Sequence, residues 1–122
     1  DAFRKMEQDC LHEVAEFENC VIATGGGAPC FFDNMTFMNA HGLTVYLNLS
    51  PDQLAERLEM SRAGKRPLIA NKKGSELRQF IADGLSVRET FYKQARVSVS
   101  GTDDEILANI EKVVSRFYSQ EL

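Results

Sequence analysis

The sequence predicts an α/β protein, a parallel sheet with helices on both faces. Two observations carry this. Amphipathic helical stretches alternate with short, β-branched apolar runs in the order α-β-α-β-α-loop-α-β-α. The apolar runs are continuous rather than alternating, as in strands covered on both sides. At 122 residues the chain is one domain, long enough to bury a core.

Phe3, Met6, Cys10, Val14 and Phe17 fall at helical spacing, so residues 1–18 read as an amphipathic helix. Cys20-Val21-Ile22-Ala23-Thr24 is a short buried strand closed by Gly25-Gly26-Gly27. Phe31 to Ala40 reads as a short helix stopped by Gly42, and Leu43 to Leu49 as a second strand. Ser50-Pro51-Asp52-Gln53 starts a helix: Ser50 caps it, Pro51 suits the first position, and Gln53 completes a capping box. That helix fades into residues 60–74, which hold Arg62, Lys65, Arg66, Lys72 and Lys73 and no acid. Ser75 to Ala95 is helical again, and Arg96 to Ser100 is a third strand. Thr102-Asp103-Asp104-Glu105 caps a last helix with Ile106, Ile110, Val113 and Phe117 on its core face.

Composition narrows the function classes. Charged residues at 26% and hydrophobic ones at 43% are those of a soluble globular protein, and no apolar run approaches a membrane span. A net charge of −4 argues against general nucleic-acid binding, so any anionic ligand must be held by a local cluster. Cys10, Cys20 and Cys30 lie at no known metal-ligand spacing, with only His12 and His41 beside them. They read as reduced packing residues of a cytoplasmic protein, with no metal site of their own.

Four features do not fit a plain core. Arg88 lies in the stripe formed by Leu77, Ile81, Leu85 and Tyr92. A guanidinium there needs a partner, either an internal acid, a snorkelling route to water or an anionic ligand. Arg4 stands at i,i+3 from Glu7, an ordinary helix pair unless it too meets a ligand. Three glycines directly after a strand exceed the need of a tight turn and let backbone N–H groups approach a ligand beyond the strand's carboxyl end. They are not a phosphate-binding P-loop, because no Lys-Ser/Thr follows. Residues 60–74 are either a solvated loop or a basic lid, in which Pro67 holds Arg66 extended.

Together these residues resemble the shikimate kinase family, a branch of the P-loop kinases. Phe3-Arg4-x-x-Glu7 is similar to that family's F-R-x-x-E helix, and Thr24-Gly25-Gly26-Gly27 to its glycine triplet after the third strand. Arg66-Pro67-Leu68 is similar to its lid R-P-L, and Arg88-x-x-x-Tyr92-x-x-Ala95 to its R-x-x-x-Y-x-x-x-A helix, with Ala95 one position early. The matches run in order along the whole chain.

The resemblance implies a three-layer α/β/α P-loop kinase fold of which residues 1–122 supply the last three strands, with a lid at about 60–74. The family's Walker A loop, its Mg²⁺ ligands and its first strand, which lies between the third and fourth, are expected upstream of Phe3. This chain alone is then expected to be inactive. The implied activity is transfer of the γ-phosphoryl of ATP to the 3-hydroxyl of shikimate, with Mg²⁺, in aromatic amino-acid biosynthesis through chorismate. Arg4, Arg88 and Gly25, Gly26 and Gly27 would hold the substrate carboxylate. Phe3, Glu7, Pro67 and Leu68 would shape the pocket. Arg66 would serve catalysis and the phosphates, and Arg62 the adenine. The implied partners are shikimate and ATP alone, the protein being a cytoplasmic monomer that binds neither nucleic acid nor membrane. A P-loop sugar-acid kinase such as one acting on gluconate, or a non-catalytic anion-binding remnant, are the alternatives.

Overall fold

A computed structural model describes residues 1–60 and 74–121. The elements are α1 (Ala2–Val14), a 3₁₀ turn (Ala28–Cys30), α2 (Asn34–His41), β1 (Val45–Leu47), α3 (Pro51–Met60), α4 (Gly74–Tyr92), β2 (Val97–Val99) and α5 (Asp103–Glu121). The chain divides into two units, one of residues 1–47 and 90–122, the other of residues 48–89. None of the described helices is long and apolar enough to cross a membrane.

In the first unit β1 and β2 pair in parallel, with Val45 opposite Val97, Tyr46 opposite Ser98 and Leu47 opposite Val99. A parallel pair needs a long crossover, and residues 48–96 supply it. With only three residues each, these strands depend on side chains to fix their register. Thr44 takes the Val97 N–H on its carbonyl (3.2 Å) and the Arg96 N–H on its hydroxyl (2.8 Å). The Thr44 hydroxyl donates to Asn39 Oδ1 (2.5 Å), and Asn39 Nδ2 donates to the Gln94 carbonyl (2.8 Å). Arg96 closes the knot by donating Nε and Nη2 to the Asn39 carbonyl at 3.1 and 2.6 Å. A cation thereby sits on an unpaired carbonyl near the end of α2, where the helix dipole favours it.

α5 packs against β2, burying Ile106 and Val99. Ile110, Val113 and Phe117 continue the same face half-buried, as the helical spacing requires. α1 and α2 are joined by a three-ring stack in which Phe37 lies 3.8 Å from His12 and 4.0 Å from His41, centroid to centroid. His41 Nδ1 lies 2.8 Å from the Phe37 carbonyl, so that nitrogen carries the proton.

In the second unit α3 and the greater part of α4 bury Ala55 and Leu77 completely, with Leu58 and Ile81 packed around them. Arg78 and Asp52 pair at 2.9 Å on the outside. The Ser50 box forms as expected: Gln53 N–H donates to Ser50 Oγ (3.1 Å) and Ser50 N–H to Gln53 Oε1 (3.0 Å).

The alternating α/β order and the parallel sheet are as the sequence predicts, but three strands are not. Residues 20–24 pair with no strand among the described residues, Val21 fully exposed and Ile22 half so. A strand exists only where a neighbour takes its N–H and C=O groups, and the described sheet consists of β1 and β2. Arg88 reaches water, one of the alternatives its position left open. The buried face of α4 is confined to its first turns, and Arg88 is exposed. The proposed lid falls largely on residues 61–73, outside the described residues.

The last helix carries a second capping box, with Thr102 N–H donating to Glu105 Oε1 (2.9 Å) and Glu105 N–H to Thr102 Oγ1 (3.2 Å). Gly101 precedes it at φ +112°, and a Cβ there would stand 2.9 Å from Glu105 Oε1, so only glycine fits. The Thr102 N–H, and next the Thr102 side chain, hold the Glu105 carboxyl below its ordinary 4.5. A depressed folded-state pKa stabilises the fold above the unfolded value and ceases to do so as pH falls through the folded one. Glu105→Gln should therefore lower the melting temperature of the intact protein near pH 7. The gap from the parent should close as the pH drops below 4.5. A gap that stays constant down the acid limb would place the effect elsewhere.

Candidate anion-binding site

The first unit gathers α1, the glycine triplet and the 3₁₀ turn around one guanidinium. Asp1 caps α1 by accepting the Arg4 N–H (3.1 Å), which places Arg4 and Glu7 on adjoining turns of the same face. Arg4 Nη1 donates to Glu7 Oε1 at 2.7 Å, the two side chains retaining 24% and 19% of their exposure. The Phe31 ring lies against the guanidinium, 4.1 Å from Cζ to centroid, and Phe3 is 5.1 Å away. Planar stacking of this kind holds an arginine in one rotamer while leaving its edges free to donate.

Gly27 stands hard against the same group. A Cβ there would lie 2.6 Å from Arg4 Nη2, 2.8 Å from Nη1 and 3.0 Å from Cζ, so the close approach requires glycine. Gly25 is in ordinary contact with Glu7, its Cβ position 3.6 Å from Oε2. The turn is fixed by Ala28 N–H donating to the Gly25 carbonyl (3.1 Å) and Cys30 N–H to the Gly27 carbonyl (3.0 Å). Buried Asn34 ties it to α2 through Nδ2 and the Ala28 carbonyl (2.9 Å), while Oδ1 has no partner among the described residues. Phe32 follows at φ +52°, a left-handed backbone that an aromatic residue rarely adopts. The Tyr92 hydroxyl donates to the Gly26 carbonyl at 2.5 Å, its ring 5.2 Å from that of Tyr46.

Nη2 and Nε of Arg4 and the N–H groups of Gly26 and Gly27 find no hydrogen-bond partner among the described residues. A guanidinium edge beside unpaired backbone donors is chemistry for a carboxylate or a phosphate.

Of the residues singled out in the sequence, the structure brings together Arg4, Glu7, Phe3, Gly25 and Gly27, with Gly26 held beside them by Tyr92. Arg88 belongs to the second unit and is exposed, with no ion pair or hydrogen bond among the described residues. Arg62, Arg66, Pro67 and Leu68 lie outside the described residues. Phe31 and the Tyr92 hydroxyl bond were not foreseen. Both are contacts between distant segments, and only the motif position of Tyr92 hinted at a role. No group of three or more His, Cys, Asp or Glu is placed to hold a metal among the described residues. Cys20 Sγ contacts the Phe17 carbonyl (3.9 Å) and Cys30 Sγ the Gly26 carbonyl (4.0 Å).

Comparison with known proteins bears on this arrangement. The family model described as shikimate kinase matches residues 1–119. The chain is 55% identical over 98 residues to a shikimate kinase of Parabacteroides distasonis, covering 80% of this chain and 56% of that one. It is 49% identical over 120 residues to one of Bacteroides thetaiotaomicron, covering 98% and 67%. A crystal structure of shikimate kinase from Bacteroides thetaiotaomicron superposes with a TM-score of 0.82 at 43% identity, over 95% of this chain and 68% of that one. The chain thus spans roughly half to two thirds of the length of the curated relatives it matches. Its α/β fold with a parallel sheet is theirs, a P-loop kinase fold, and the chain belongs to the shikimate kinase family.

Proposed function

We propose that the protein is a shikimate kinase, transferring the γ-phosphoryl group of ATP to the 3-hydroxyl of shikimate on the chorismate route to aromatic amino acids. The observation that carries this reading is the clamp of Arg4 between Glu7, Phe31 and Gly27, beside unpaired backbone donors. Shikimate offers a carboxylate at one end of a small ring and hydroxyls at the other. Gripping the carboxylate orients the reacting hydroxyl, and orientation is the larger part of phosphoryl-transfer catalysis.

In this reading Arg4 donates through its free edge and the triplet through backbone N–H groups, while Glu7 holds the guanidinium in plane. Arg88 is the second cation on the carboxylate. Phe3, Pro67 and Leu68 wall the ring, Arg66 stabilises charge on the transferring group from a lid at 60–74, and Arg62 faces the adenine. Mg²⁺ would supply charge neutralisation on the ATP phosphates. The described residues offer no ligand cluster for it, and Arg4, Glu7 and the glycine turn act on shikimate. The reading extends to a cytoplasmic monomer. A coupled assay of the intact protein should show ATP-dependent turnover of shikimate and none of gluconate; the reverse preference would overturn the proposal.

Replacing Arg4 or Arg88 with Leu should weaken shikimate binding by about 1.5–3 kcal/mol, the scale of a charged hydrogen bond, and leave nucleotide affinity unchanged. Calorimetry that finds the opposite pattern would refute the assignment. Gly27→Ala should act like the Arg4 variant by a different route. The new methyl group meets the tip of a flexible side chain, so it displaces the guanidinium at a stability cost below about 1 kcal/mol. Thermal denaturation checks that cost, and a crystal structure of the variant with Arg4 still 2.7 Å from Glu7 would contradict the route. Arg66→Ala should lower kcat by at least about 10²-fold, as for other donors aimed at transition-state charge, and near-normal turnover would rule that role out.

A further inference from the structure

We propose that Tyr92 is a positioning residue for the substrate carboxylate, setting the Gly26–Gly27 peptide so that the Gly27 N–H faces the anion. The inference rests on the shikimate kinase reading and adds a residue to it.

The geometry starts from one bond. The Tyr92 hydroxyl donates to the Gly26 carbonyl at 2.5 Å, across 66 residues of sequence. That carbonyl and the Gly27 N–H belong to one planar peptide group. The chain contains no cis peptide among its described residues, so the two point in opposite directions. Fixing the carbonyl toward Tyr92 therefore fixes the N–H away from it, as a donor with no partner among the described residues. Gly27 is also the residue in tightest contact with the Arg4 guanidinium. The freed N–H and the unpaired arginine edge thus belong to adjoining groups.

Glycine makes such a constraint necessary. Cys30 Sγ also lies 4.0 Å from the Gly26 carbonyl, but a thiol is a weak donor. Rotating the peptide between two glycines otherwise meets little steric resistance, so the same turn without Tyr92 could present either its N–H or its C=O to the ligand. A carbonyl turned toward a carboxylate would repel it. The hydroxyl bond selects the attractive orientation before the ligand arrives. It also polarises the peptide, which strengthens the N–H as a donor. Tyr92, at the end of α4, is itself held, its ring tilted against Tyr46 of β1. A phenyl ring at residue 92 keeps the contact with Tyr46 and removes the hydroxyl bond alone.

The test uses the intact protein and its Tyr92→Phe variant, with Thr102→Ala as a control that destabilises the fold away from the site. Tyr92→Phe should raise the Kd and the KM for shikimate about three- to tenfold, the effect of one uncharged hydrogen bond, while the KM for ATP stays unchanged. Thr102→Ala should lower the melting temperature without moving either constant. In the ¹⁵N-labelled parent, the Gly27 amide resonance should shift on titration with shikimate and not with nucleotide. This holds the inference open to refutation even if the variant fails to fold. Shikimate bound equally by parent and variant, or a Gly27 amide that does not respond to it, overturns the role of Tyr92 and leaves the kinase reading standing. A parent that binds no shikimate at all overturns both.

Discussion

A guanidinium three-quarters withdrawn from water has to be compensated, and Arg4 imposes that demand on everything near it. Glu7 must stand one turn away on α1, which fixes the helix phase. Residue 27 must be glycine for the guanidinium to keep this place, since a side chain there would displace it. The chain must bring an aromatic face over the planar group, and Phe31 does so at the exit of the 3₁₀ turn, at the cost of a left-handed Phe32. Each of these is a constraint on sequence that a plain helix-to-turn connection would not have. Their convergence on one side chain sets Arg4 apart from an ordinary surface ion pair.

The rest of the first unit keeps that arrangement in register. Two three-residue strands contribute few ladder bonds, and the knot of Asn39, Thr44 and Arg96 adds side-chain bonds worth about 1 kcal/mol each. The knot joins the end of α2 to the starts of β1 and β2. The His12–Phe37–His41 stack then joins α2 to α1, and Asn34 joins α2 to the glycine turn. The scaffold therefore reaches the site along one continuous path, from sheet to α2 and from α2 to both walls of the clamp.

What was legible in the sequence follows from range. Capping boxes at Ser50 and Thr102 are local, three residues wide, and form as their spacing requires. The core face of α5 depends on periodicity alone and was equally plain, whereas the stripe of Phe3, Met6, Cys10 and Phe17 expected to be apolar is exposed and α1 ends at Val14. The misreading at residues 20–24 is of another kind. They have the composition of a strand, but strand formation is a property of the neighbour, and no described strand lies beside them. Arg88 shares a stripe with Leu77 and Ile81, and its alternatives stayed open because burial along α4 depends on what covers each turn, which periodicity does not report. Phe31 and the Tyr92 hydroxyl bond were invisible because each joins segments far apart in the chain.

Charge balance explains why the backbone has to take part in the site. The chain is net acidic, and Arg4 is already paired with Glu7, so their immediate surroundings offer little net positive charge to an incoming carboxylate. Long-range attraction is screened within about 8–10 Å at physiological salt in any case. What remains is a guanidinium edge not engaged by Glu7, beside peptide N–H dipoles that have no partner among the described residues. Oriented dipoles cost nothing to reorganise when the ligand binds, whereas a free cation on a long side chain must be immobilised first. Glu7 therefore does not weaken the site by neutralising Arg4. It exchanges net charge for a fixed geometry, and that exchange works only if further donors supply the attraction. In the proposed assignment that part falls to the glycine peptides.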